Sequence, residues 1–284
     1  MIPAAFEYRR ATSLDDALKA IAGGDAKVLA GGMSLLPLMK LRLAAPATLV
    51  DIGRLTELKG VRKLDDGRIA IGALTTYAEL MDSPARHYGL LRDAVPNIGD
   101  VQVRNRGTVG GSIAHADPAS DLPACLLALD AELVARSSSG ERTIPVDGFL
   151  QGAFTTGLQP DEILTEIRLP GPRDDAGSAY VSLQSPASGY AMVGVAAVVF
   201  SGAGGGIASA NVALTGVSDV AYRARAVESA LAGSDGSSGV ISAAGEHATD
   251  GQLVNDDIHA DRDYRSHMAV IYTRRAVAAA LARI

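Results

Sequence analysis

Apolar positions in the first fifty residues change between helical and strand spacing. Ser13 stands three residues before an acid, and apolar residues follow at helical spacing, which predicts a helix beginning at about Ser13. Residues 26–30 and 48–52 are short apolar runs that predict strands, and residues 35–43 return to helical spacing. The pattern predicts a small α/β unit with a boundary near residue 55.

A second region with mixed spacing extends to a proline- and glycine-rich linker at residues 170–177. The predicted helices of this region cover residues 76–80, 90–94 and 121–129. Its predicted strands cover residues 68–72, 131–136, 143–146 and 162–169. Residues 99–112 are polar and rich in glycine, and no regular element is predicted there. These strands, separated by polar turns, indicate an antiparallel or mixed sheet.

The last hundred residues start with a strongly apolar segment. Residues 190–200 and 207–215 predict a pair of strands across a glycine-rich turn. Three helices are predicted after them, over residues 221–231, 240–248 and 265–282. The longest apolar run, residues 191–200, is only half of a membrane span. We therefore expect no transmembrane segment.

Composition and charge exclude several classes of protein. Of the 284 residues, 26 are Lys or Arg and 32 are Asp or Glu, a formal net charge of −6 that opposes binding to nucleic acid. Cys125 is the single cysteine, so a disulfide framework is impossible. The first twenty residues are charged and lack the layout of a secretory signal. We expect a cytoplasmic protein, possibly held at the inner face of the membrane through a complex.

Two glycine-rich segments are the strongest candidates for a binding site. The first covers residues 29–35 and the second residues 107–112, and each carries paired glycines followed by a serine. Side-chain-free residues allow backbone N–H groups to converge on an anion, so the two segments could hold the two halves of one pyrophosphate. Either segment alone is as consistent with an ordinary tight turn. Neither matches the Rossmann fingerprint, and no P-loop occurs.

Motifs of other chemistries are missing. The five histidines show no zinc-protease spacing, Cys125 has no CxxC partner, and no GxSxG is found. His115 follows the second glycine segment but is assigned no catalytic role. No catalytic residue and no metal ligand is therefore predicted.

Residues 30–34, 104–112 and 117–123 together resemble the FAD-binding (medium) subunit of molybdenum hydroxylases, most closely the carbon monoxide dehydrogenase type. Xanthine dehydrogenase carries a similar domain. The resemblance covers essentially the whole chain. It implies an α+β protein with a vanillyl-alcohol-oxidase-type (PCMH-type) FAD-binding fold. Two α/β subdomains, residues 1–55 and 56–172, would grip FAD, and a C-terminal α+β domain with a small antiparallel sheet, residues 177–284, would cover part of it.

The resemblance also implies which residues contact FAD. The first segment would contribute Leu29, Ala30, Gly31, Gly32, Met33, Ser34 and Leu35, and the second would contribute Thr108, Val109, Gly110, Gly111 and Ser112. Asp121 matches an acid that hydrogen-bonds the cofactor, although an Asp before Leu-Pro suits a helix N-cap equally well. Leu164 matches a backbone contact near the adenine. Tyr190 matches a tyrosine beside the isoalloxazine ring, with a core tyrosine as the alternative.

Two positions depart from the family pattern. Gln184 stands where relatives usually have a lysine, so a cationic partner of the flavin would be missing. Met33 stands where many relatives have His or Gln, and methionine cannot make the same hydrogen bond. The change at Gln184 could alter the potential or the binding strength of the flavin, whereas Met33 could simply be an apolar wedge.

The function implied by the resemblance is electron transfer through FAD. The chain would receive electrons from [2Fe-2S] clusters of a small partner subunit, while a large partner would hold the molybdenum cofactor, in a dimer of heterotrimers. The external acceptor would be a quinone, NAD or oxygen. One alternative is a stand-alone FAD-dependent oxidoreductase acting on a small molecule, and another is a scaffold that has lost its flavin. A bulky residue at Gly32 or Gly111 should abolish FAD retention if the pyrophosphate lies there.

Overall fold

The N-terminal unit is a parallel sheet with two helices, in a computed structural model that describes residues 2–284. Its elements are β1 (Glu7–Arg10), α1 (Leu14–Ile21), β2 (Ala26–Leu29), α2 (Leu35–Lys40) and β3 (Thr48–Asp51). Strand β3 pairs in parallel with β1 and with β2, as expected when a helix connects successive strands. The Ser13 hydroxyl accepts the Asp16 N–H at 3.1 Å, which confirms the predicted start of α1. Helix α2 ends earlier than predicted, and Arg42 beyond it adopts a left-handed φ of 60°.

The second unit is a five-stranded antiparallel sheet with helices inserted between its second and third strands along the chain. Its helices are α3 (Tyr77–Met81), α4 (Gly89–Ala94), α5 (Val101–Arg104), α6 (Val109–His115) and α7 (Asp121–Ala128). Its strands are β4 (Val61–Lys63), β5 (Ile69–Gly72), β6 (Glu132–Ser137), β7 (Gly140–Pro145), the small hairpin β8 (Leu150–Gly152) and β9 (Thr155–Thr156), and β10 (Ile163–Leu169). The sheet order is β4-β5-β10-β6-β7.

Residues 99–112 differ from the sequence prediction, because they contain α5 and the first turn of α6. The carboxyl of Asp100 caps α5 at 2.8 Å from the Val103 N–H, and Thr108 caps α6. Two glycines in the first turn of α6 weaken the helical pattern, and the caps that set its start were not recognised in the sequence.

The C-terminal unit is a four-stranded antiparallel sheet with three helices. Its elements are β11 (Ala176–Gln184), β12 (Ala191–Ser201), β13 (Ile207–Thr215), β14 (Tyr222–Arg223), α8 (Arg225–Leu231), α9 (Ser238–Gly245) and α10 (Arg262–Leu281). The predicted strand pair β12–β13 is confirmed. Strand β11 was not predicted, and its first two residues, 176 and 177, fall within the predicted linker. The helix predicted from residue 221 was wrong at its start, because Tyr222 and Arg223 pair with β13.

Alternation along β12 explains how this sheet joins two cores. Val195, Ala197 and Val199 are buried against α8–α10, whereas Ala196 and Val198 are buried with α7 in the core of the second unit. The fully buried helix α7 packs against this sheet and fixes the C-terminal unit to the rest of the chain. No described helix has both the length and the hydropathy that a membrane crossing requires.

Hydrogen bonds from the C-terminal sheet hold both ends of α7. Before the helix, the Thr215 hydroxyl lies 2.8 Å from the carbonyl oxygens of Pro118 and Ser120. After it, the Arg223 guanidinium donates to the carbonyl of Leu127 at 3.2 Å. We propose the domain division 1–55, 56–172 and 177–284, since one of the three main sheets falls in each range.

Candidate functional site

The first glycine segment connects the end of β2 to the start of α2. Gly32 has a φ of 78°, a left-handed conformation that favours glycine. Backbone N–H groups of residues 31–35 donate no hydrogen bond to any other described residue. The segment is therefore a set of free donors at a helix start, which is an environment that favours an anion.

The second glycine segment is a helix start at which the N–H groups of residues 109–112 already donate hydrogen bonds within the chain. The N–H of Val109 donates to the Thr75 carbonyl and that of Gly110 to the Ala73 carbonyl, each at 2.9 Å. The N–H of Gly111 donates to Thr108 Oγ1 at 3.1 Å. The second segment therefore differs from the first in its free donors, and its predicted role in binding the pyrophosphate stays a prediction. The groups that this segment offers a ligand are the hydroxyls of Thr108 and Ser112.

Glycines bring the two segments into contact. A Cβ on Gly31 would lie 2.8 Å from the carbonyl carbon of Arg106, and closer still to its oxygen. A Cβ on Gly111 would lie 3.8 Å from the Cβ of Ala30. A Cβ on Gly110 would meet that of Ala73 at 2.5 Å. The first segment, with its free donors, is therefore in contact with the second segment.

Three tyrosines surround the carboxylate of Asp121 beside α6. Tyr180 on β11 donates its hydroxyl hydrogen bond to Asp121 Oδ1, and both residues are buried. Burial raises the pKa of Asp121 to about 6, against the opposing effect of the Tyr180 hydrogen bond. Burial also raises the pKa of Tyr77 to about 12, with a contribution from the nearby Asp121 charge. The pKa of Tyr190 is raised by burial and by the charges of Asp117 and Asp121.

Hydroxyl groups connect this cluster to the second glycine segment. The Ser112 and Ser120 hydroxyls lie 2.9 Å apart, and Ser112 is also close to the Tyr77 hydroxyl. The ring of Tyr77 packs on Gly107, where a Cβ would lie 2.7 Å from it. The structure thus brings together the glycine segments, Asp121 and Tyr190, which come from all three units.

The remaining predicted residues lie around this centre. Met33 is exposed on the first segment, and the Ser34 hydroxyl makes no capping bond to α2 in the described chain. The side chain of Leu164 is buried in the core of the second unit, so only its backbone is suited to a polar contact. The amide of Gln184 donates to the Asn97 carbonyl at 3.3 Å. Tyr190 is 44% exposed, so its interpretation as a core residue is wrong.

Asp121 is not the N-cap of α7. Ser120 occupies that position, and Asp121 is the first helical residue with its carboxylate turned to Tyr180. The helix-cap alternative is therefore wrong, and the interpretation as a ligand stays a prediction.

Three residues of this cluster are not predicted from the sequence, namely Tyr77, Tyr180 and Ser120. The capping box of Thr76 and Glu79 marks the helix that begins at Tyr77, and it is visible in the sequence. Alternating apolar residues from Ala179 to Leu183 would have indicated the strand of Tyr180. Nothing local points to Ser120.

Thr108 provides a measurable local effect, because its hydroxyl caps α6 at the centre of the site. The Thr108→Ala variant should lower the free energy of unfolding by about 1 kcal/mol, since the Gly111 N–H loses its partner. Thr108→Ser keeps the hydroxyl and should behave as the unmodified chain does. Urea denaturation of the flavin-free protein measures both, and equal loss in the two variants would contradict the capping role.

The donor set fits an extended cofactor with an anionic centre and an aromatic end. The free N–H groups of residues 31–35 suit a pyrophosphate, and the half-exposed ring of Tyr190 suits a flat ring system. These are the requirements of a dinucleotide such as FAD, and the class of protein indicated is a flavoprotein.

Comparison with protein families gives the same class. Residues 4–172 match the model of the FAD binding domain in molybdopterin dehydrogenase. Residues 178–280 match the model of the CO dehydrogenase flavoprotein C-terminal domain. The chain belongs to this family of FAD-binding oxidoreductase subunits, and its cofactor is FAD.

Individual relatives match over the full length. The chain is 40% identical to the carbon monoxide dehydrogenase medium chain of Hydrogenophaga pseudoflava, over 100% of this chain and 99% of that protein. It is 38% identical to the 6-hydroxypseudooxynicotine dehydrogenase complex subunit alpha of Paenarthrobacter nicotinovorans, over 100% and 97%. The solved structure of carbon monoxide dehydrogenase from Hydrogenophaga pseudoflava, which lacks the Mo-pyranopterin moiety of the molybdenum cofactor, superposes with a TM-score of 0.95 at 41% identity, covering 100% of this chain and 99% of that one. The predicted α+β fold with its FAD-binding and C-terminal domains is confirmed.

Proposed function

We propose that this chain carries electrons through FAD within a molybdenum hydroxylase complex of the carbon monoxide dehydrogenase type. An iron–sulfur small subunit would deliver the electrons, and a large subunit would hold the molybdenum cofactor, in a dimer of heterotrimers. The acceptor would be a quinone, NAD or oxygen. Support comes from relatives that are a medium chain and a complex subunit along their full lengths.

The observation that supports the proposal is the set of free backbone donors of residues 31–35 in contact with the second glycine segment, with the half-exposed Tyr190 near Asp121. The N–H groups of residues 31–35 would hold the pyrophosphate, with the Thr108 and Ser112 hydroxyls facing it from α6. The ring of Tyr190 would cover the isoalloxazine. Asp121 would accept a hydrogen bond from a cofactor hydroxyl, and the backbone of Leu164 would lie on the adenine side. Gln184 would occupy the position near the flavin at which relatives usually have a lysine.

FAD, when bound, supplies exchange between single electrons and electron pairs, whereas this chain supplies position and shielding. Glycine at the contact of the two segments allows their backbones to approach each other closely. The buried tyrosines exclude water around Asp121 and keep its surroundings at low polarity.

Rapid-mixing reduction experiments test the proposal against a stand-alone flavoenzyme. The FAD-loaded chain, mixed without oxygen with its reduced iron–sulfur partner, should lose its oxidised-flavin absorbance. The same chain mixed with small-molecule substrates of the relatives should remain oxidised. Direct reduction by such a substrate in the absence of partner subunits would contradict the electron-transfer role.

A further inference from the structure

The Asp121–Tyr180 pair joins two domains at the edge of the proposed site. Asp121 begins α7 of the second domain, and Tyr180 lies on β11 of the C-terminal domain. Their exposed fractions are 5% and 3%, so the hydrogen bond is almost free of solvent. Burying a carboxylate costs free energy unless its oxygens are hydrogen-bonded. The Tyr180 hydroxyl supplies one such hydrogen bond to Asp121.

The position of Tyr180 is fixed at both of its ends. Its backbone N–H donates to Asp93 Oδ2 at 3.1 Å, and Asp93 is in turn ion-paired with Arg283. Its hydroxyl lies over Gly194 on β12, where any Cβ would overlap it. The hydroxyl therefore has a reserved place under the carboxylate, and Asp121 cannot turn freely.

We propose that Tyr180 is a positioning residue of the flavin site. Its hydroxyl binds Asp121 Oδ1 and leaves Oδ2 to accept a hydrogen bond from FAD, so that the C-terminal domain contributes to cofactor binding through a residue that does not touch the cofactor. This inference rests on the proposed placement of FAD beside Asp121.

The pH dependence of FAD binding follows from the groups around Asp121. These are Tyr77 at the start of α3, Tyr180 on β11, Tyr190 before β12, and Cys125 and Asp117 on and before α7. The pKa of Asp121 is about 6, and a cofactor hydroxyl donates best to the ionised carboxylate. FAD affinity should therefore rise with pH through about 6. Loss of the Tyr180 donor should raise the pKa of Asp121 further and move that rise to higher pH.

The test measures FAD dissociation constants between pH 5 and pH 9, using the chain produced with its partner subunits and stripped of flavin. Tyr180→Phe should weaken FAD binding about tenfold at pH 7 and move the rise in affinity upward by about one pH unit. Tyr222→Phe is the matched control, because it removes a buried hydroxyl that donates to the Ala248 carbonyl at 2.9 Å elsewhere in the same domain. That control should match the unmodified chain.

Two further variants keep the test decisive. Asp121→Asn should abolish the pH dependence, and adding Tyr180→Phe to it should have little extra effect, because the two residues act through one contact. Gly194→Ala leaves Tyr180 in place but displaces its hydroxyl, and it should reproduce the upward shift even where Tyr180→Phe fails to fold.

Normal FAD binding and an unchanged pH profile in Tyr180→Phe, or an equal shift in Tyr222→Phe, would overturn this inference alone. Failure of the unmodified chain to bind FAD would overturn the proposed function together with it.

Discussion

Gly31→Ala should lose FAD and lower the free energy of unfolding by about 3 kcal/mol, because the added methyl group overlaps backbone that cannot move aside. The Cβ would lie 2.8 Å from the Arg106 carbonyl carbon and nearer still to its oxygen. The two glycine segments must then separate, and the gap that receives the pyrophosphate changes shape. FAD affinity should fall by about a hundredfold or more.

Gly23→Ala is the control for this variant. Gly23 lies in the same domain, and no heavy atom is found within 4 Å of its added Cβ. Urea denaturation and flavin content should be as in the unmodified protein. If Gly31→Ala retained as much FAD as Gly23→Ala, close contact of the two segments would not be required for FAD binding.

Gly31 gives a sharper test than the glycines that the sequence favours. A Cβ on Gly32 would meet the movable Leu36 side chain at 2.9 Å, but the φ of 78° would strain the backbone, so its effect would combine local strain with any effect on the pyrophosphate. A Cβ on Gly111 would meet Thr108 Oγ1 at 2.6 Å, so its effect would combine loss of the helix cap with any block of the pyrophosphate.

Asp121→Asn should stabilise the flavin-free chain while weakening its hold on FAD. Burial raises the pKa of Asp121 from an ordinary 3.8 to about 6. The folded state therefore binds the proton more tightly than the unfolded state, and stability falls as the pH rises through this window. At pH 7 the ionised carboxylate costs the fold about 3 kcal/mol, which the neutral amide removes.

The stability gain should be largest above pH 6, should shrink as the pH falls, and should vanish well below about pH 4, where the carboxyl is protonated in both states. FAD binding should weaken about tenfold or more, because an amide oxygen accepts less strongly than a carboxylate. Asp82→Asn, at an exposed position, is the control and should change neither quantity. A destabilised Asp121→Asn chain would mean that the acid serves the fold and not the cofactor. The expected pattern is a residue kept for binding at the expense of stability.

Local signals in the sequence predict much of the fold. The Ser13 cap and the apolar run that becomes β12 locate their elements because both depend on neighbouring residues. Strand β11 was missed because its start lies in a proline- and glycine-rich stretch. The start of α6 was missed because Gly110 and Gly111 have low helix propensity. Its cap is nevertheless local, since Thr108 accepts from the N–H of Gly111, three residues later.

The site could be predicted only in part, because its electrostatics depend on distant contacts. The glycine segments are visible in the sequence, but the donors of the second are taken by Ala73 and Thr75, more than thirty residues earlier. The bond between Asp121 and Tyr180 spans 59 residues and exists only once the C-terminal sheet has packed on α7. No periodicity or spacing rule carries such information.

The most direct test of the account is the cofactor and metal content of the complex isolated through an affinity tag on this chain in its native host. We predict one FAD per chain, with iron and molybdenum in the same chromatographic peak. A chain that elutes alone and takes up no FAD, even when FAD is added, would contradict the account.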